Sequence, residues 1–152
     1  AIAFKEALAP EFSEYARAVV ANASALADRL QERGLRIVSG GTDNHVMLVD
    51  VGSKGMSGRD AEDALHAVDL TCNKNLIPYD ERPPMQASGV RLGSAAITTR
   101  GLGVTECTQV ADWISDVIEA PGDESVAARV KGEVAECAAA FPIYEASEVG
   151  GV

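Results

Sequence analysis

The chain has 152 residues, 47% hydrophobic and 24% charged, a composition that supports one domain with a sizeable core. With 13 basic against 23 acidic side chains the net charge is −10, which repels phosphate backbones and anionic bilayers and argues against nucleic-acid or membrane partners. Cys72, Cys107 and Cys137 are odd in number and widely spaced, matching neither a disulfide framework nor a zinc motif, so reduced core thiols in a cytoplasmic protein and no metal site are expected.

The first residues, Ala1 to Leu8, read as helix from the outset, without an initiator methionine, as if the sequence starts partway through an element of a longer protein. No apolar run reaches the roughly 20 residues of a membrane-spanning helix, and no signal-like leader precedes the first element. After Pro10, apolar or small residues at Phe12, Tyr15, Ala16, Val19, Ala23, Leu26, Ala27 and Leu30 follow the three-and-four spacing of one helix face, and Gly34 supplies the stop. Leu35 to Ser39 and Val46 to Val51 are β-branched runs separated by Gly40-Gly41-Thr42-Asp43-Asn44, the pattern of an antiparallel hairpin with His45 at its far shoulder.

Ser57 is placed to cap a short helix whose third position is Asp60, a weak capping box, with Ala61, Ala64, Leu65 and Val68 inward. A strand near Leu70 to Cys72 should follow. From Asn73 to Ala87 the prolines at 78, 83 and 84 deny helix and ladder bonds alike, which predicts a long loop. A strand through Ser88-Gly89-Val90-Arg91-Leu92-Gly93 comes next. Two helices complete the pattern: one with Val104, Cys107, Val110, Ala111, Ile114, Val117 and Ile118 inward, and one from about Glu124 to Ala140 with Val126, Val130, Val134, Cys137 and Phe141 inward. The fold class expected is α+β, a two-layer α/β domain with a small, mostly antiparallel sheet covered by helices.

Arg91 is the chief candidate for function. Between Val90 and Leu92, on a strand that otherwise reads as buried, its guanidinium needs a counter-charge, because an unpaired buried charge costs several kcal/mol. A ligand carboxylate gripped bidentately meets that need, and so does an internal salt bridge. Asn73-Lys74-Asn75, at a strand end, offers amides that donate and accept at once, though turn chemistry with a solvated lysine explains the triplet as simply. His45 and His66 read as satisfied structural histidines. Gly101-Leu102-Gly103 fails as a dinucleotide fingerprint because position 106 is Glu. Lys5, Lys54, Lys74 and Lys131 show no setting for a Schiff-base amine, and no complete catalytic constellation is present.

Five blocks in order, Ser39-Gly40-Gly41-Thr42-Asp43-Asn44-His45, Asn73-Lys74-Asn75, Arg82-Pro83-Pro84, Ser88 to Gly93 and Thr98-Thr99-Arg100-Gly101, together resemble the C-terminal portion of serine hydroxymethyltransferases. The resemblance covers essentially the whole chain and implies the small C-terminal domain of a fold-type-I, aspartate-aminotransferase-like enzyme. It implies a connecting helix region over 1–33, a small domain over 34–142 and a polar tail over 143–152. It further implies a pyridoxal 5'-phosphate enzyme that interconverts serine and glycine with tetrahydrofolate as one-carbon carrier, homo-oligomeric when full length. By resemblance Arg91 binds the substrate α-carboxylate, Asn75 contacts the pterin of the folate, and Pro83, Pro84 and Met85 lie in the loop bordering it. The Schiff-base lysine and the other cofactor residues then belong to an upstream large domain, and the fragment alone is expected to be inactive.

The chain departs from the family pattern on both sides of Arg91, with Gln86-Ala87-Ser88-Gly89 for Val-Thr-Ser-Gly and Gly93-Ser94-Ala95-Ala96 for Gly-Thr-Pro-Ala. Loss of that proline frees φ and restores an amide donor, which predicts a turn that is looser or differently hydrogen-bonded. Two other readings follow: a related pyridoxal-phosphate aldolase or transaldolase on β-hydroxy amino acids without folate, and a free-standing amino-acid sensor.

Overall fold

The computed structural model describes residues 1–144. The expected helix at the start is α1 (Ile2–Ala7), which buries no side chain, and Pro10 opens α2 (Pro10–Glu32) at a first-turn position that has no need of an amide donor. The apolar stripe of α2 delivers Val19, Ala23, Leu26, Ala27 and Leu30 to the core, whereas Phe12 is 44% exposed because the first turns project beyond it. Gly34, at φ +78°, ends the helix as anticipated.

The hairpin forms with a shorter first arm than its β-branched residues suggest. β1 (Arg36–Ile37) pairs antiparallel with β2 (Val46–Asp50), placing Ile37 opposite Val49. The chain leaves β1 early because Val38–Gly40 wind into a 3₁₀ turn with Ser39 in the left-handed region, at φ +68°. α3 (Gly58–Ala67) is capped by Ser57, whose hydroxyl accepts the Asp60 amide at 3.1 Å and donates to the Asp60 carboxylate at 2.6 Å. The carboxylate thus reaches the cap hydroxyl instead of the cap amide of a full capping box.

The strand expected at Leu70 to Cys72 lies instead at β3 (Asn73–Asn75), so the Asn-Lys-Asn triplet is sheet and not loop. It pairs with β4 (Gly89–Gly93), and the order β1-β2-β4-β3 is antiparallel throughout. Period-two alternation sends Ile37, Met47, Val49, Val90 and Leu92 into a core closed by α2, α3 and α5 (Val104–Glu119). Residues in register on the opposite face are Leu48, Arg91 and Asn73, with Val46 and Asn75 beside them.

A short helix not foreseen, α4 (Ala95–Thr99), follows β4, with Ala95 in its first position, where a proline would also fit. The turn is not loose. Ser94 N–H donates to the His45 carbonyl at 3.0 Å, and the buried Ser94 hydroxyl donates to the Val19 carbonyl at 2.7 Å. The Asn22 amide ties α2 to this corner through Thr98 Oγ1 at 2.8 Å and the Leu102 carbonyl at 2.9 Å.

The α5 stripe is buried as its spacing predicts, except Val104, which is half exposed at the helix start. α6 (Glu124–Ala140) begins at an Asp123 cap and buries only Val130 fully, with Val126, Val134, Cys137 and Phe141 partly covered. Ion pairs lace these helices together: Arg33 holds Asp112 at 2.8 Å and Asp116 at 2.7 Å, Arg29 reaches Asp112 at 2.9 Å, and Arg129 of α6 reaches Asp116 at 2.6 Å. Hydrogen bonds from Arg33 hold Asp112 and Asp116 below the usual carboxylate range, although burial works against their ionisation.

Among the described residues no helix is long and apolar enough to cross a membrane. Residues 145–152, most of the expected polar tail, lie outside the described residues.

Candidate functional site

Arg91 is exposed, contrary to its reading as a buried charge. Its strand neighbours Val90, 0% exposed, and Leu92, 8% exposed, face the core, so Arg91 faces away from it. The flanking glycines answer to close packing. A Cβ at Gly93 would meet the His45 carbonyl at 3.1 Å, and one at Gly89 would meet Ile77 Cγ2 at 2.7 Å and carbonyls on both neighbouring strands.

Arg91 and Asn75 line one open depression of about 640 Å³, walled by the loop from Val38 to Asn44 and floored by Val46 and Leu48. The wall is fastened to the sheet. Thr42 Oγ1 donates to the Val46 carbonyl at 2.7 Å, and Val46 N–H donates to Asn44 Oδ1 at 2.9 Å. The Gly-Gly-Thr-Asp-Asn-His block therefore reaches Arg91 through β2, the strand paired with β4.

Among the arginines, only the side chains of Arg17 and Arg91 have no hydrogen-bond or ion-pair partner among the described residues. Arg17 stands on the solvated face of α2, whereas Arg91 stands in a concave site. Asp43, in the wall of the same depression, hydrogen-bonds to Asn44 and forms no ion pair with Arg91. No internal salt bridge to Arg91 is therefore formed among the described residues. An arginine fork with no protein acid to displace can take a planar carboxylate with two parallel hydrogen bonds.

The other members of the triplet divide. Asn75 Nδ2 donates to the Leu76 carbonyl at 2.8 Å, which leaves its amide oxygen without a partner among the described residues. Lys74 is half-buried and paired: its ammonium binds Glu62 of α3 at 2.7 Å, and that bond lowers the Glu62 pKa. Pro83, Pro84 and Met85 are exposed, Met85 by 70%, and do not line the depression. His66 is structural, its Nε2 lying 2.8 Å from the Cys72 carbonyl oxygen. Gly103 serves α5, its N–H donating to Glu106 Oε2 at 2.9 Å, which explains the Glu that spoils the dinucleotide pattern.

A residue that sequence reasoning passed over is Asp80. Burial opposes its ionisation, but hydrogen bonds from the Ser88 hydroxyl and from the Arg82, Ile77 and Ser88 amides pull its pKa down to about 2. Those donors come from three separate places in the loop, a grouping invisible in a linear reading.

A second cavity, of about 320 Å³, lies beneath α6 with Cys72 and Cys137 in its apolar wall and shares no residue with the predicted site. Burial pushes the Cys72 thiol up to about 11, so it is not a ready nucleophile. The described residues do not fit a pyridoxal-phosphate site of their own. Lys74 is committed to Glu62, Lys131 to the Ala67 carbonyl and Asp69, and Lys5 and Lys54 are exposed. No group of three or more His, Cys, Asp or Glu among the described residues is arranged to hold a metal.

Comparison with known proteins places the chain in a family. The family model described as serine hydroxymethyltransferase matches residues 1–114. A serine hydroxymethyltransferase of Halorhodospira halophila is 52% identical over 144 residues, covering 95% of this chain and 35% of the relative. One from Polynucleobacter necessarius subsp. necessarius is 54% identical over 145 residues, with the same coverage of 95% and 35%. The chain thus spans about a third of the length of the curated relatives it matches. On the match to residues 1–114 and identity above one half, the chain belongs to the serine hydroxymethyltransferase family.

Proposed function

We propose that this chain is the substrate-binding C-terminal portion of a serine hydroxymethyltransferase, which interconverts serine and glycine with tetrahydrofolate as one-carbon carrier. The observation that carries the reading is the Arg91 guanidinium, without a partner among the described residues, in a concave, exposed site shared with Asn75. Arg91 grips the α-carboxylate of serine or glycine through its two-pronged edge. Because β4 is the strand between β2 and β3, the guanidinium is anchored on a backbone bonded on both sides, and a substrate held there has a fixed orientation.

Asn75, two residues past the register partner of Arg91, presents its amide oxygen, without a partner among the described residues, to the pterin of the folate. Pro83, Pro84 and Met85 form an apolar border for the folate on the loop between these two strands. The upstream large domain would hold pyridoxal 5'-phosphate, which would supply an electron sink for the bond changes. The activity then needs the rest of the protein, and the described segment alone is inactive.

In the full-length enzyme, Arg91→Ala should raise KM for serine about 10- to 100-fold and lower kcat as well, because a misplaced substrate loses alignment along with affinity. Arg91→Lys should rescue poorly, since an ammonium cannot reproduce the bidentate geometry. Unchanged steady-state kinetics in Arg91→Ala would sink the assignment. Assays with and without tetrahydrofolate separate this reaction from an aldolase that needs no folate.

A further inference from the structure

The loop from Leu76 to Ser88 joins the strand of Asn75 to the strand of Arg91, and one carboxylate ties its two ends together. Asp80 Oδ2 accepts the Ile77 N–H at 3.1 Å, at the exit of β3, and the Ser88 N–H at 2.8 Å, immediately before β4. Oδ1 accepts the Arg82 N–H at 3.0 Å and the Ser88 hydroxyl at 2.6 Å. The Arg82 guanidinium locks the far side, donating to Ser88 Oγ and to the Met56 carbonyl, each at 3.1 Å. Ser88 is 8% exposed, and its own carbonyl accepts the Val51 and Gly52 amides at 3.0 and 2.9 Å. The assembly therefore reaches the turn that follows β2 as well as the ends of β3 and β4.

This arrangement differs from an ordinary loop turn. A turn aspartate satisfies one or two nearby amides, whereas Asp80 gathers donors from residues 77, 82 and 88 and bridges the loop at its neck. Four donors on one carboxylate leave little freedom for the neck to open, because each lost bond would strand a polar group in a partly buried setting.

We propose that Asp80 is a positioning residue that fixes the relation between Asn75 and Arg91, and so between folate and amino-acid carboxylate; the role rests on the reading of those two side chains given above. Asp80 touches neither substrate. Its effect is geometric: the neck it closes sets how β3 and the start of β4 lie against each other. A shift there of a fraction of an ångström moves both binding groups at once.

The test compares wild type, Asp80→Asn, Ser88→Ala and Arg91→Ala in the full-length enzyme, reading both KM values, kcat, the urea unfolding midpoint and the rate of limited proteolysis within residues 76–88. Asp80→Asn keeps the size but replaces one acceptor oxygen by an amide group. It should raise KM for serine and for tetrahydrofolate together, each about fivefold or more, and speed cleavage of the loop. Arg91→Ala should act on serine far more than on folate. If Asp80→Asn does not fold, Ser88→Ala, which removes one hydroxyl donor, carries the same test with paired changes of about twofold to threefold. Paired increases support the proposal. A lowered midpoint with both KM values unchanged makes Asp80 merely structural and overturns it, while the Arg91 reading stands if Arg91→Ala still impairs serine use. If Arg91→Ala itself changes nothing, the site reading falls and this inference falls with it.

Discussion

The arginines that lace the helices together and the arginine in the open depression are treated in opposite ways. On the helical side, Arg29, Arg33 and Arg129 are all paired with Asp112, Asp116, Glu119 or Glu133, and even the one lysine in the sheet is bonded to Glu62. On the open side Arg91 stands in a depression without a partner among the described residues, with Asp43 in the same wall and no bond to it. Charge that serves stability is saturated within the fold, and charge left unsatisfied in a concave place is available to a ligand. In a chain of net charge −10 an arginine could have been neutralised easily, so its lack of a partner among the described residues is informative.

The comparison predicts a ranking of stability effects. Leu30, 0% exposed where α2 meets the core, should be the most sensitive: Leu30→Ala is expected to cost about 2–5 kcal/mol in urea unfolding. Gly58 comes next, because a Cβ there would collide with the Gly89 carbonyl and force α3 away from the strand of Arg91. Gly58→Ala should cost about 1–3 kcal/mol, and it would link the two sides if it also weakened substrate binding. Arg33→Ala leaves Asp112 and Asp116, each about one quarter exposed, short of a partner, and should cost about 1 kcal/mol, more at low than at high salt. Equal losses in Arg33→Ala and Arg91→Ala would break the comparison.

Acid should act in a defined window. Glu62, Asp80, Asp112 and Asp116 all have folded-state pKa values below their ordinary ones, so below about pH 4 the unfolded chain binds more protons than the folded one. Their stabilisation is present above that pH and is lost as the pH falls toward 2, the value to which Asp80 is drawn. A flat unfolding midpoint between pH 5 and 2 would contradict these pairings. Each carboxylate's own share is modest because solvent screens partly exposed pairs.

Much of the architecture was legible in the sequence, for reasons that differ between elements. The helices announce themselves through apolar stripes that the core honours, as from Val19 to Leu30 and from Cys107 to Ile118. β3 was not legible, since Asn and Lys are poor strand formers; pairing with β4 and the Lys74–Glu62 bond outweigh propensity there. Arg91 stands out in the sequence, but its apolar neighbours Val90 and Leu92 suggest burial there, whereas alternation places them on the other face. Asp80 was hidden because its partners, residues 77, 82 and 88, converge only when the loop closes on itself.

The most direct measurement is glycine binding to the full-length enzyme by titration calorimetry, for wild type and Arg91→Ala, with urea unfolding of the same samples. Affinity should fall at least about tenfold while stability stays within about 0.5 kcal/mol of wild type. Unchanged affinity, or a loss of stability as large as the loss of binding free energy, would show that Arg91 serves the fold and not a ligand.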